Sequence, residues 1–225
     1  MMNKQVDTYT SWVEGQRSAP DAVTRSLDAL YASGPKTKDA SLAQLALQNA
    51  LSKVLAPIYY DRLDETPLGP VWVAAGPRGL VAVEYNGSEG SFRAYLAKLT
   101  GGQPRRAAEK VSGAKAQLLA YISGRSDHIE IDVDLSAITP FQRRVLEETR
   151  KVPRGQVSTY AEIAKRVGKP KAFRAVGQAL RRNPLPIVVP CHRVIASDGS
   201  LGGYSGEMRS QRKLQLLRLE GVALA

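Results

Sequence analysis

Cysteine is almost missing from this chain: among 225 residues there is one, Cys191. A single thiol excludes an intramolecular disulfide and a cysteine-rich zinc site. Histidine is nearly as scarce, with only His128 and His192, so an all-histidine metal site is not expected and no metal is anticipated. Long apolar runs are lacking too. The opening Met1-Met2-Asn3-Lys4-Gln5-Val6-Asp7 has no apolar core of signal-peptide length, and stretches such as Ile187-Val188-Val189 fall far short of a bilayer span. A cytoplasmic protein without a membrane partner is the expectation. Hydrophobic residues at 43% and charged residues at 24% are ordinary globular proportions, which argues against a disordered chain.

Acidic residues thin out toward the C-terminus. Residues 1–137 carry 15 Lys/Arg against 15 Asp/Glu, whereas residues 138–225 carry 17 against 6, so the whole net charge of +11 lies in the last part. A one-signed region of this kind suits phosphate backbones, although a merely soluble basic domain has the same composition.

Three regions follow from pattern. Residues 1–57 predict a helical extension: Ala22–Tyr31 and Ser41–Leu55 have helix-like spacing, broken by Gly34-Pro35. They offer no readable chemistry, and three roles stay open: a partner-binding extension, a regulatory helical pair or a poorly ordered leader. Residues 58–137 predict a small α/β domain. A strand near Tyr59–Leu63 precedes two apolar runs, Val71–Ala75 and Leu80–Tyr85, joined by Gly76-Pro77-Arg78-Gly79 as a hairpin. Helices are expected over Ser91–Leu99 and Lys110–Ile122, and a further strand over the alternating Ile129–Val133. Residues 138–225 predict a mainly helical domain. Thr139-Pro140-Phe141-Gln142 opens a helix, with Thr as cap and Pro at its first position.

Thr159-Tyr160-Ala161-Glu162 is a capping box that opens a short helix, Gly168-Lys169-Pro170 makes a turn, and a second helix runs from Lys171 to about Arg182. This is the helix-turn-helix plan, in which the second helix reads the groove, though many bundles contain such a pair. On that helix Ala172, Ala175, Gly177 and Ala179 are small, and Lys171, Arg174, Arg181 and Arg182 are basic. Small residues allow close approach to DNA and basic ones hold phosphates; close helix packing would also favour Ala and Gly. The chain then runs extended through Ile187-Val188-Val189-Pro190 into Cys191-His192-Arg193. A lone cysteine is ordinarily a small core residue. To react, it must become a thiolate, which needs a base or positive surroundings. His192 is adjacent, but neighbours on an extended chain point opposite ways, so a bridging water fits better than direct contact. A third group would orient the imidazole, and spacing does not choose it.

The run PCHRVI, preceded by RAVGQALRRNP and followed by GGYSG and LEG, resembles the O6-alkylguanine-DNA alkyltransferase family. With TPFQRRV and STYAEIA in the same order, the likeness covers about residues 58–222. It implies a ribonuclease-H-like α/β domain, without that enzyme's catalysis, followed by a helical domain that holds the helix-turn-helix and the active site. It implies that Cys191 accepts an alkyl group, that His192 takes the thiol proton through a water, and that Glu220 orients His192. Tyr160 would donate to the base ring nitrogen and the Ser205 N–H would contact O6. Carbonyls of Cys191 and Val194 would accept from the exocyclic amine, Tyr204 and Gly206 would shape the pocket loop, and Lys213 matches a further site position. The DNA face would be Lys171, Ala172, Phe173, Arg174, Ala175 and Gly177, with Arg174 filling the vacated stack; Asn183 and Pro190 would be supports.

The implied partner is double-stranded DNA containing O6-alkylguanine, bound in the minor groove with the target nucleotide flipped out. The expected protein is a monomer that acts once and needs no cofactor. Phe173 departs from the small residue usual at its position, and it could press on the groove or pack inward. The family's zinc ligands in the α/β domain are missing here. Two rivals remain: a lesion sensor on the same scaffold, which would lack the acceptor cysteine, and a helix-turn-helix regulator, which would usually be dimeric.

Overall fold

The computed structural model describes residues 57–85, 87–204, 207–208 and 210–222. The helices expected over Ala22–Tyr31 and Ser41–Leu55 lie outside the described residues.

Three strands form an antiparallel meander: β1 (Tyr59–Leu63), β2 (Val71–Gly76) and β3 (Gly79–Tyr85). Helix α1 (Glu89–Thr100) follows, then β4 (Arg105–Arg106), which joins β1 in parallel to give the order β3-β2-β1-β4. The β2 run is apolar at every position because both faces of the sheet are covered. Trp72 and Ala74 face α1, where the Trp72 ring stacks on Phe92 with centroids 5.7 Å apart. Val71 and Val73 face the opposite way, into a core shared with the C-terminal helices. The hairpin needs glycine at 79: its φ is +120°, and a Cβ there would lie 2.2 Å from the Asp132 carbonyl oxygen.

That contact explains one departure from the sequence reading. Ile129–Val133 does not form a strand. Its pairing is a single bridge between Val133 and Leu80, made by Leu80 N–H to Asp132 O and Asp134 N–H to Leu80 O, both 2.8 Å. Further along the same edge, Val83 N–H donates to Pro184 O at 2.8 Å. The outer edge of β3 is thus shared between two segments, and neither has length for a ladder. The alternation of Ile129, Ile131 and Val133 records packing against the core, not pairing.

Helix α2 (Ser112–Ile122) covers the core next. Helix α3 (Pro140–Arg150) starts as expected: the Thr139 hydroxyl accepts from Gln142 N–H, and Pro140 occupies the first turn. After β5 (Ser158–Thr159), helix α4 (Tyr160–Arg166) carries the full capping box of Thr159 and Glu162. Gly168, at φ +74°, turns the chain toward α5 (Phe173–Arg181), two residues shorter at its start than expected. Ala172 has no side chain to cap that start. The pair β6 (Val194–Ile195) with β5, the hairpin of β7 (Gly203–Tyr204) with β8 (Glu207–Met208), and α6 (Gln211–Leu219) complete the fold. It is a small mixed sheet with helices.

The second departure concerns the cysteine run, which is coiled rather than extended. Ile187 has a left-handed φ of +76°, strained for a β-branched residue. Val189 N–H turns back to Leu185 O, and Cys191–Arg193 form a turn of 3₁₀ helix closed by Arg193 N–H to Pro190 O at 2.9 Å. Pro184, Pro186 and Pro190 lack the N–H groups that a strand would donate here, so the chain closes on itself. Among the described residues no helix is long and apolar enough to cross a membrane.

Candidate active site

The coiled run carries Cys191 into the interior, where it is 6% exposed. Its Sγ accepts a hydrogen bond from Asn183 Nδ2 at 3.1 Å. Asn183 stands just beyond the end of α5, and it also donates to Val189 O at 3.1 Å and accepts from Leu185 N–H at 2.9 Å. The end of α5 and the sulfur are therefore linked by one side chain. Asn183 thus bonds both the turn backbone and the sulfur. Burial pushes the Cys191 thiol up; the Asn183 bond and the Lys213 charge only partly oppose this. The resting group is a thiol, so reaction requires a base.

His192 has no exposed surface. Its Nε2 lies 2.6 Å from Glu220 Oε1. Burial would raise the Glu220 carboxyl, but His192, Arg193 and Tyr121 outweigh it and hold the group well below the usual carboxylate range. A carboxylate only accepts, so the imidazole proton sits on Nε2 and the lone pair on Nδ1. That Nδ1 is buried and has no hydrogen-bond partner among the described residues. Burial holds the imidazole below its ordinary pKa against the pull of Glu220. No hydrogen bond links Sγ to the imidazole among the described residues.

Two residues that sequence reasoning missed complete this cluster. Arg193 donates from Nε to Glu220 Oε2 at 2.8 Å and from a terminal nitrogen to Oε1 at 3.0 Å, while its other nitrogen reaches Val152 O at 2.6 Å. Tyr121, on α2, donates to Glu220 and accepts from Arg193 at 2.9 Å. Arg193 lay inside the PCHRVI run and could have been suspected from it. Tyr121 stands in a helix with no motif, and only the fold reveals its part.

Tyr160 opens α4, placed by the Thr159 cap. Its hydroxyl lies so close to Gly202 that a Cβ there, on a backbone with φ +63°, would approach it to 2.8 Å. Gly177 packs beneath the Tyr160 ring, where an added Cβ would sit 3.9 Å away. Lys213 is wholly buried and donates to Val194 O at 2.6 Å and to Leu201 O. Burial brings its pKa down to about 8. It ties the cysteine turn to the loop before β7, and it takes one acceptor position of the Val194 carbonyl. The Cys191 carbonyl accepts from Val194 N–H. Tyr204 is 2% exposed; its hydroxyl pairs with that of Tyr85 at 2.7 Å, and its ring meets His192 edge-on at 6.2 Å. Pro190 is buried at the head of the turn. Ser205 and Gly206 lie outside the described residues. A cavity of about 680 Å³ between β3 and the α3 and α5 helices shares Asn183 with this site but is not lined by Cys191, His192 or Tyr160.

The α5 surface is separate from the buried cluster. Lys171, Phe173, Arg174 and Ala175 are exposed, and Ala172 is half-buried. The Arg174 guanidinium lies 5.7 Å from the Phe173 ring centroid.

Known proteins are similar to this chain in sequence and fold. Residues 140–222 match the family model of the 6-O-methylguanine DNA methyltransferase DNA-binding domain. A methylated-DNA–protein-cysteine methyltransferase of Salmonella typhimurium is 40% identical over 166 residues, 71% of this chain and 94% of that protein. One of Methanosarcina barkeri is 36% identical over 163 residues, covering 72% and 97%. The crystal structure of Mycobacterium tuberculosis OGT in complex with DNA superposes with a TM-score of 0.59 at 36% identity, covering 72% of this chain and 92% of that one. With these matches running from the sheet through the cysteine turn to Glu220, the chain belongs to the methylated-DNA–protein-cysteine methyltransferase family.

Proposed function

We propose that this protein repairs O6-alkylguanine in double-stranded DNA by moving the alkyl group onto Cys191, once per molecule. The observation that carries the reading is the polarity of His192. Glu220 holds the proton on Nε2 and leaves a buried, unpartnered Nδ1 as the base. The thiol proton passes to Nδ1 through a water, a carbon–sulfur bond forms, and the alkyl carbon–O6 bond breaks with its electrons on guanine. Tyr160 donates to the base ring nitrogen and the Ser205 N–H to O6, which stabilises the leaving charge. Carbonyls of Cys191 and Val194 select the exocyclic amine. Net, the thiol proton replaces the alkyl group on guanine. The thioether is stable, so Cys191 is consumed without a cofactor.

The target atom is stacked inside a duplex, so the nucleotide must be flipped out. In this reading α5 enters the minor groove and Arg174 fills the vacated stack. Residues 58–137 act as a ribonuclease-H-like domain and residues 138–225 as the reading and accepting domain. The protein works as a cytoplasmic monomer. Lys213 acts as a positioning residue, because its ammonium is spent on two carbonyls. The test is incubation with duplex DNA carrying one O6-methylguanine, followed by intact mass and peptide mapping. One methyl per chain, on Cys191, with guanine restored, is expected. Lesion binding without mass gain would favour the sensor reading, against which the presence of Cys191 already speaks.

A further inference from the structure

Phe173 is an anomaly of the surface. Among the described residues only it and Val157 are large hydrophobics left exposed, and Phe173 is the more open at 46%. Its position in the helix makes this notable. The buried stripe of α5 is Val176, Ala179 and Leu180, and Phe173 stands one turn ahead of Val176 on the same stripe. Periodicity alone would bury it. The core does not extend that far, so the ring is left partly open at the leading end of the helix.

The surroundings specify what could cover the ring. From Ile163 to Ser197 the chain has no acidic residue. Lys165, Arg166, Lys169, Lys171 and Arg174 are all exposed around this end of α5. An apolar ring set among cations, with no carboxylate in the segment, matches a polyanion that also offers apolar surface. Stacked bases flanked by phosphates are such a surface. A protein partner with a buried apolar face would need acidic groups around it to match. Arg174 adds geometry, since its guanidinium lies 5.7 Å from the ring centroid and presents cation and ring side by side.

We propose that Phe173 is an apolar wedge. It inserts between bases at the step beside the flipped nucleotide, while Arg174 occupies the vacated position. Proteins that bind the minor groove open base steps with such side chains, because unstacking is the main cost of bending or flipping. The wedge adds to the proposed repair reaction and rests on it: it lowers the cost of extruding the lesion and takes no part in the chemistry at Cys191.

The test compares wild type with Phe173→Ala, which removes the ring, and Phe173→Leu, which keeps apolar bulk. Three substrates are used: duplex DNA with one O6-methylguanine, the same strand single-stranded, and free O6-benzylguanine. Phe173→Ala should slow duplex repair about tenfold, the scale of one lost base–aromatic stack. Reaction with free O6-benzylguanine should change far less, and Phe173→Leu should recover most of the duplex rate. A 2-aminopurine placed next to the lesion should brighten when wild type binds and stay dim with Phe173→Ala. An unchanged duplex rate, or equal slowing on all three substrates, would overturn the wedge. So would a normal 2-aminopurine signal with Phe173→Ala. Should wild type take an alkyl group from none of the substrates, the repair reading falls by itself, and the fluorescence of the bound duplex still decides the wedge.

Discussion

At the scale of single residues, the site works by assigning one proton to one nitrogen. Glu220 has four hydrogen bonds from three side chains and remains a carboxylate in the interior. Replacing it by Gln puts an amide that donates as well as accepts beside His192, so the tautomer is no longer fixed, and leaves Arg193 with a buried, unbalanced charge. Glu220→Gln should slow alkyl transfer by about 10²-fold, the usual worth of a positioned general base, while DNA binding changes little. Single-turnover rates and a binding titration check this. The pH dependence follows from His192. Its pKa is lowered in the folded protein from the ordinary 6.5, chiefly by burial, so the base stays neutral through the physiological range. Below 6.5 the unfolded chain takes up this proton before the folded one does. Stability from this group is therefore fully present above 6.5 and is lost as pH falls through the folded value. The rate with free O6-benzylguanine should hold steady as pH falls to 6.5 and decline only beyond it. A midpoint above 6.5 would contradict the assignment.

At the scale of elements, caps place the chemistry. The Thr159 cap starts α4 at Tyr160, so a helix terminus sets the position of that side chain. Thr159→Ala should cost about 1 kcal/mol of stability, the usual worth of a cap, visible in urea unfolding. It should also slow transfer, because the first turn then holds Tyr160 less firmly. Such features were legible in the sequence, since a capping box or a proline at a helix start is local chemistry read within four residues. The hairpin and the helix starts at Pro140 and Tyr160 were readable for the same reason. Ile129–Val133 was misread as a strand because alternation reports burial on one side, and only the partner edge decides whether a ladder forms. The cysteine run was misread as extended because its apolar composition outweighed the prolines that deny it strand hydrogen bonds. That error hid the reason Cys191 lies near Asn183.

Over the whole molecule, charge separates the two surfaces of interest. The cluster around Glu220 is buried and pairs it with His192 and Arg193, whereas the α5 surface is open and basic. Binding to DNA through that surface should weaken linearly in log–log form as salt rises. Lys171→Ala, at an exposed position, should reduce the slope by about 1 if Lys171 holds one phosphate. A titration of duplex binding at several salt concentrations measures it, and an unchanged slope would remove Lys171 from the contact. The core has the opposite character, with one buried cluster running from β3 to Val145, Ile163, Val176 and Leu216. The sheet and the helix-turn-helix therefore share a hydrophobic interior, and substitutions in either will register in the stability of both.

The sequence by itself determined the family resemblance, the single cysteine, the capped helices and the basic character of residues 138–225. Each of these is carried by residue identity or by contacts within one turn. Only the tertiary structure decided that Asn183 touches the sulfur, that Arg193 and Tyr121 clamp Glu220, and that Phe173 stays outside the core. These depend on where segments tens of residues apart come to rest against each other, which no local pattern encodes.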